Sequence, residues 1–211
     1  MGMLVVVEGL DGAGKRTISS ALAARLTEGG ASVAQMAFPR YETDVYGPLV
    51  SDALHGRLGD LIDSVYGMAV LFALDRRAAA EDLRAELVSS DVVIVDRYIA
   101  SNAAYGAARL GQEGDGAFVD WVRALEVDRF GLPVPDLQVL LRVPTEIAAR
   151  RAAERESRDA TRVRDSYESD QELQRRCAEL YEQLAVNSWL SPWLAIDGDE
   201  PSVARVLATL S

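Results

Sequence analysis

Gly9-Leu10-Asp11-Gly12-Ala13-Gly14-Lys15 places two glycines and a lysine at the G-x-x-x-x-G-K spacing of a phosphate-binding loop. Glycines let several backbone N–H groups converge on one phosphate, and the helix that follows adds partial positive charge at its first turn. Lys15 can then reach the terminal phosphates of a polyphosphate, with Arg16 and Thr17 opening the helix behind it. It is the chain's only lysine, every other basic residue apart from His55 being arginine. The bland alternative is a glycine-rich strand-to-helix turn with an incidental lysine. The buried strand before the loop and the helix after it are the context the phosphate motif requires. One position departs from the motif: Arg16 stands where a serine or threonine usually ligates magnesium. Asp11 is then the candidate metal ligand of the loop, unless it only shapes the turn before Gly12.

A second group of candidates follows another apolar run. Val92-Val93-Ile94-Val95 leads into Asp96-Arg97-Tyr98, placing two charges at the carboxyl end of a buried strand. Neighbouring parallel strands end on the same side, so both charges belong near the glycine loop. There an aspartate can order metal-bound water and an arginine can neutralise a transferring phosphoryl group. The alternative is a helix cap beside a surface arginine. In the helix beyond, Tyr98, Ser101, Asn102 and Tyr105 share one face, with Ala100, Ala103 and Ala104 behind it. A third group is basic: seven arginines lie between Arg142 and Arg164. By charge alone they are either a solvated helix face or a site for a small anion.

The elements that must position these groups alternate. Short apolar strands are expected over Met3–Glu8, Ser32–Phe38, Asp91–Val95, Leu137–Val143 and Trp193–Ile196. Helices are expected from Arg16 to about Thr27, over Gly47–Leu54, through a long stretch Ile62–Ser89, at about 98–109 and 116–130, from Pro144, at about 166–187 and over Pro201–Leu210. This pattern predicts an α/β fold: a five-stranded parallel sheet flanked by helices on both faces, with ligands at the strands' carboxyl ends. Residues 1–211 read as a single domain.

The net charge of −11 argues against duplex nucleic acid as a partner. No apolar run approaches membrane-spanning length, the N-terminus carries no basic leader, and Cys177 is the single cysteine. A soluble, cytoplasmic protein is expected. His55 reads as a cap or surface residue, and the three tryptophans as core or interface.

Taken together, Glu8-Gly-Leu-Asp-Gly-Ala-Gly-Lys15, Phe38-Pro39-Arg40-Tyr41, Phe72-x-x-x-Arg76, Asp96-Arg97-Tyr98, Ser101 and Ala104-Tyr105 resemble the thymidylate kinase family in order and spacing. The resemblance implies the P-loop nucleoside-monophosphate kinase fold and ATP-dependent phosphorylation of dTMP to dTDP with Mg2+. It implies that Gly9 through Thr17 bind ATP, joined by Arg151, Arg155, Arg158 and Arg162 from a lid at about 150–165. For dTMP it implies Phe72 stacked on the base, Arg76 donating to its exocyclic oxygen and Asn102 meeting its ring NH. Tyr105 would crowd the sugar 2′ position, while Arg97 and Arg40 hold the monophosphate. Phe38 and Tyr41 would wall the pocket, with Asp11, Asp165 and Tyr167 approaching it and Pro39 joined by a cis bond. Lys15, Asp11, Arg97 and Arg155 are the implied catalytic set, and Asp11 and Glu168 the implied metal ligands. Gly12, where some members carry arginine, and the basic lid match the bacterial variety of the family. Gly106, where many members carry glutamine, departs from it.

The lid arginines 151, 155, 158 and 162 are spaced 4, 3 and 4 apart, so they share one helical face and repel unless an anion joins them. Val65–Leu74 is apolar almost all round, which asks for a partner; a homodimer, as in the family, would supply it. Two rival readings stand beside this one. The first is a kinase for another nucleoside monophosphate or a deoxynucleoside. The second is a nucleotide-binding switch, which should carry an N-K-x-D motif; the only lysine already sits in the loop.

Overall fold

Leu4-Val5-Val6-Val7 is apolar without interruption, its three valines β-branched, and all four residues are buried. Successive strand residues point to opposite faces, so a strand buried at every position is covered on both sides. This is β1, Met3–Glu8, the middle of a five-stranded sheet in a computed structural model that describes residues 2–43, 45–158, 165–198 and 200–210. The other strands are β2 (Val33–Ala37), β3 (Val92–Asp96), β4 (Leu137–Leu141) and β5 (Trp193–Ile196). They lie in the order β2-β3-β1-β4-β5, every pairing parallel. β3 and β4 repeat the continuous burial of β1, whereas the edge strands β2 and β5 are only half-buried, as their mixed sequences predict.

The helices are α1 (Lys15–Glu28), α2 (Tyr46–Leu54), α3 (Val65–Ala78), α4 (Ala80–Ser89), α5 (Ile99–Leu110), α6 (Ala117–Arg123), α7 (Thr145–Arg158), α8 (Ser166–Ser169), α9 (Gln171–Val186) and α10 (Glu200–Leu210). The helical stretch expected over 62–89, broken or continuous, is broken. A 3-10 turn covers Gly59–Asp63, Ser64 caps α3 by accepting from the Gly67 N–H, and Ala79 separates α3 from α4. The helix expected over 116–130 changes pitch: α6 runs into a π-helix over Ala124–Arg129. Likewise 166–187 is divided at Asp170, which caps α9.

The register brings the chemistry together. Val7 pairs with Asp96, and the Arg97 N–H donates to the Val7 carbonyl at 3.0 Å, so the tips of β1 and β3 are adjacent. α5 leaves the β3 tip and packs with α3, α6 and α9, while α1 leaves the glycine loop and packs with α10.

Candidate active site

The loop after β1 turns sharply because three glycines take left-handed backbone angles. At two of them space as well as conformation demands glycine. A Cβ on Gly9 would lie 2.7 Å from the Leu141 carbonyl oxygen, and one on Gly12 would lie 2.1 Å from that of Ala148 in α7. α7 therefore rests directly on the loop, where Arg151 also donates to the Ala13 carbonyl at 3.3 Å. Lys15 is buried and donates to the Gly9 and Leu10 carbonyls at 3.1 and 2.8 Å. Burial, then the neighbouring Arg97 cation, pulls its pKa from 10.5 down to about 8; Asp11, Asp96 and Glu8 oppose part of that fall. Arg16 and Thr17 are exposed at the start of α1.

Asp11 is the electrostatic centre. Its carboxylate accepts from Arg97 Nη2 at 2.5 Å and from the Tyr105 hydroxyl at 2.8 Å. Burial pushes this carboxyl up, but Arg97, Lys15 and the two hydrogen bonds overturn that and hold it well below the usual carboxylate range. Burial and the Asp11 charge raise the Tyr105 phenol well above its ordinary value, so it stays a donor. Arg97 sits at φ 63, a left-handed angle rare outside glycine. Its Nη1 reaches Ser101 Oγ at 3.1 Å. Aromatic rings extend this arrangement. The Arg97 guanidinium lies 5.5 Å above the Tyr105 ring, Tyr105 stacks on Tyr167 at 5.9 Å, and Arg109 lies 5.0 Å above Tyr167.

Beside Asp11 opens a cavity whose free space, counted with its open mouth, is about 560 Å³. Asp11, Phe38, Tyr41, Phe72, Arg76, Arg97, Asn102, Tyr105, Asp165, Tyr167 and Glu168 all line it. The Phe38–Pro39 bond there is cis. Asp165 caps α8, accepting from the Tyr167 and Glu168 N–H groups at 2.8 and 2.9 Å, which places both side chains. A second crevice, about 1160 Å³, runs from Leu10 and Asp11 along the inner side of α7 to Glu168 and Arg175.

Not every expected residue joins this group. Arg40 is absent from the lining. Its Nε donates to Asp75 Oδ1 at 3.0 Å and its Nη2 to the Asp75 carbonyl at 3.1 Å, so much of its fork is committed to a buried carboxylate. Tyr98 packs against Phe38 at 6.0 Å rather than sharing the cavity face with Ser101, Asn102 and Tyr105. His55 is the exposed C-cap of α2. Arg155 and Arg158 fall on the last turns of α7, where side chains lie outside the described residues, as does Arg162 altogether. Arg142 and Arg150 pair with Glu182 and Glu154 on exposed surface, the solvated-face reading of those two.

Several supporting residues had no role in the sequence reading. Glu8 is fully buried and accepts from the Tyr98 and Ser101 N–H groups at the start of α5, from Ser101 Oγ and from the Tyr181 hydroxyl. Glu126, in the π-helix, binds Arg76 through two hydrogen bonds and Asn102 through one. Phe118, Val122 and Glu126 recur at four-residue spacing, so a carboxylate on an apolar stripe was the available signal. Gly106 is explained by packing: a Cβ there would lie 2.0 Å from the Phe118 ring, which packs edge-on with Tyr66 and tilted against Trp121.

The sequence profile of the thymidylate kinase family matches residues 7–191. The chain is 48% identical to the thymidylate kinase of Mycobacterium tuberculosis (strain H37Rv), over 99% of its own length and 97% of that protein. It is 32% identical to the human thymidylate kinase over 72% of this chain and 66% of that one. Among solved structures, a thymidylate kinase from Candida albicans superposes with a TM-score of 0.72 at 25% identity, covering 99% of this chain and 90% of that one.

Proposed function

The chain belongs to the thymidylate kinase family, an ATP-dependent phosphotransferase that converts dTMP to dTDP, and from that premise we propose how its residues divide the work. The rival readings, another monophosphate kinase or a nucleotide switch, have no support among these relatives. The 560 Å³ cavity takes dTMP and the crevice along α7 takes ATP. One observation carries this: Asp11, held by Arg97 and Tyr105, stands where the cavity and the crevice meet.

In the cavity Phe72 stacks on thymine, a contact worth ~1–3 kcal/mol. Arg76 and Asn102 read the base edge, and Tyr105 fills the space a 2′-hydroxyl would need. Arg97 holds the monophosphate against the donor. The loop amides of residues 9–15 and Lys15 hold the ATP phosphates, with the lid arginines 151, 155, 158 and 162 closing over them. A monophosphate oxygen attacks the γ-phosphorus, the bond from that phosphorus to the β-bridging oxygen breaks, and ADP leaves with the electron pair. The nucleophile is already anionic, so catalysis is alignment and charge neutralisation by Lys15, Arg97 and Arg155.

Asp11 and Glu168 are the residues that would hold Mg2+. Both line cavity and crevice, and Asp11 stays ionised beside its cations. Such a cation takes one or two protein carboxylates and otherwise phosphate and water oxygens. Bound there, the ion would neutralise charge on the ATP phosphates.

The outer side of α3 carries exposed Tyr66 and half-buried Val70 and Leu74, and we assign it to a two-fold dimer contact. Sedimentation at twice the 22.9 kDa chain mass is the expected result; a monomer at assay concentration would contradict it. No helix among the described residues is long and apolar enough to cross a membrane, and a cytoplasmic location fits the reaction. The decisive assay is ADP release from ATP with dTMP, dUMP, dCMP, AMP and GMP as acceptors. dTMP should turn over fastest, and an equal or greater rate with a purine monophosphate would reject the pocket assignment.

A further inference from the structure

Glu126 is fully buried, yet it touches no part of the phosphate machinery. Its Oε2 accepts from Arg76 Nε at 2.5 Å. Its Oε1 accepts from Arg76 Nη2 at 2.7 Å and from Asn102 Nδ2 at 2.7 Å. The second hydrogen of the Asn102 amide goes to the Ala69 carbonyl at 3.0 Å. With both N–H groups given away, the group that Asn102 keeps for a ligand is its carbonyl oxygen, an acceptor. Arg76 keeps Nη1, a donor. A side-chain amide is otherwise nearly symmetric and could present either end. Turning it over here would set the Asn102 oxygen against Glu126 Oε1 and the Ala69 carbonyl, acceptor against acceptor. The π-helix over Ala124–Arg129 delivers Glu126 to this point, and such turns recur where a helix must aim a functional side chain.

We propose that Glu126 is the positioning residue for base selectivity: by fixing the Asn102 amide and the Arg76 fork it makes the pocket present one acceptor and one donor to a pyrimidine edge. Thymine and uracil offer the complement, a ring N–H beside a carbonyl. Cytosine offers the reverse, a bare ring nitrogen beside an amino group, and meets acceptor with acceptor and donor with donor. Buried polar groups left unpaired in this way are what makes such discrimination large. The proposal rests on the reading of the cavity as the dTMP base site.

The test is Glu126→Gln, assayed with dTMP and dCMP. A glutamine sets its N–H2 either against Arg76 Nε or against both Arg76 Nη2 and Asn102 Nδ2, so the fork or the amide loses its fixed partner. The dTMP KM should rise at least about tenfold with kcat and the ATP KM within a few-fold, and the dTMP:dCMP ratio of kcat/KM should fall at least about tenfold. A merely structural role would lower the active fraction, reducing kcat while leaving the KM values and the ratio at wild-type levels; that result overturns the proposal. Glu126→Asp, which keeps the charge but is too short to span both partners, should shift the ratio in the same direction. If neither variant folds, Arg76→Met with Glu126→Leu removes both buried charges together. Its ratio is compared with that of Arg76→Ala, which leaves Glu126 on Asn102; a lower ratio in the double variant supports the proposal and an equal one rejects it. Arg76→Ala also separates the two levels. If it leaves the dTMP KM unchanged, the base-site reading fails; if it raises KM while Glu126→Gln keeps the wild-type ratio, only the role of Glu126 fails.

Discussion

Replacing Lys15 by methionine should stabilise the nucleotide-free protein at pH 7 while removing most of its activity. The ammonium is buried against Arg97, and its pKa falls from 10.5 to about 8. At ~1.4 kcal/mol per tenfold change in proton affinity, keeping that charge inside costs the fold roughly 3 kcal/mol at neutral pH. The sign follows from proton counting. The folded pKa lies below the unfolded one, so between pH 8 and 10.5 the unfolded chain holds the extra proton and wild-type stability rises with pH; below pH 8 the full cost stands. Methionine fills a similar volume without charge. Its own cost is the loss of the hydrogen bonds to the Gly9 and Leu10 carbonyls, ~1–2 kcal/mol. The variant should therefore be ~1–2 kcal/mol more stable than wild type at pH 7, a rise in Tm of about 3–6 °C for a chain of this size. By pH 10 most of the wild-type penalty has gone and the order should reverse. Calorimetry of both proteins at pH 7, 8.5 and 10 without nucleotide measures this directly, and groups titrating alike in both proteins cancel in the difference. Parallel stability curves from pH 7 to 10 would refute the reasoning. Turnover of the same variant should fall by roughly 10²–10³, as for loss of one transition-state donor; near-normal turnover would remove Lys15 from its assigned role.

Gly106→Gln forces a side chain into the Phe118 ring and should destabilise by about 2–3 kcal/mol, read as a lower urea midpoint at unchanged m; an unchanged midpoint would mean α5 and α6 can part without cost. Arg40→Ala leaves the Asp75 carboxylate, 1% exposed, with the backbone N–H of residue 40 but without its cation, and should cost up to ~3–5 kcal/mol, whereas Arg40→Ala with Asp75→Ala should recover most of it. Should the single variant instead keep its stability and only raise the dTMP KM, Arg40 belongs to the monophosphate as the family resemblance implied.

The strands and the loop were legible because their signals are local. A near-continuous apolar run reads as a strand buried on both faces, and G-x-x-x-x-G-K between strand and helix has few other uses. Their ends fall within about two residues of the expected ones, as with β1 over Met3–Glu8. What the sequence hid depends on partners far along the chain. Arg77-Ala78-Ala79-Ala80 contains no helix breaker, so the division at Ala79 reflects packing rather than propensity. Asp75 and Arg76 are consecutive, but successive helix positions diverge by ~100°, so one binds Arg40 and the other Glu126. Composition gives no means of assigning those pairs. The same holds for Asn102: its place on the α5 face could be read, but which way its amide is turned is set by a carboxylate 24 residues away.

Phosphoryl transfer by alignment requires that donor and acceptor sites keep a fixed relation, and one buried side chain ties the glycine loop to the helix we assign to the acceptor site. Glu8 ends β1, the strand that feeds the phosphate loop. Its carboxylate accepts the Tyr98 and Ser101 N–H groups at 2.9 and 3.2 Å, at the start of the helix that carries Asn102 and Tyr105 to the acceptor cavity. A carboxylate at a helix N-terminus is favoured by the helix dipole as well as by the hydrogen bonds. The second oxygen takes Ser101 Oγ and the Tyr181 hydroxyl, adding α9 to the same node. A shift of α5 relative to the loop would break three hydrogen bonds to one buried carboxylate at once. α5 is thereby fixed to the glycine loop by the fold itself.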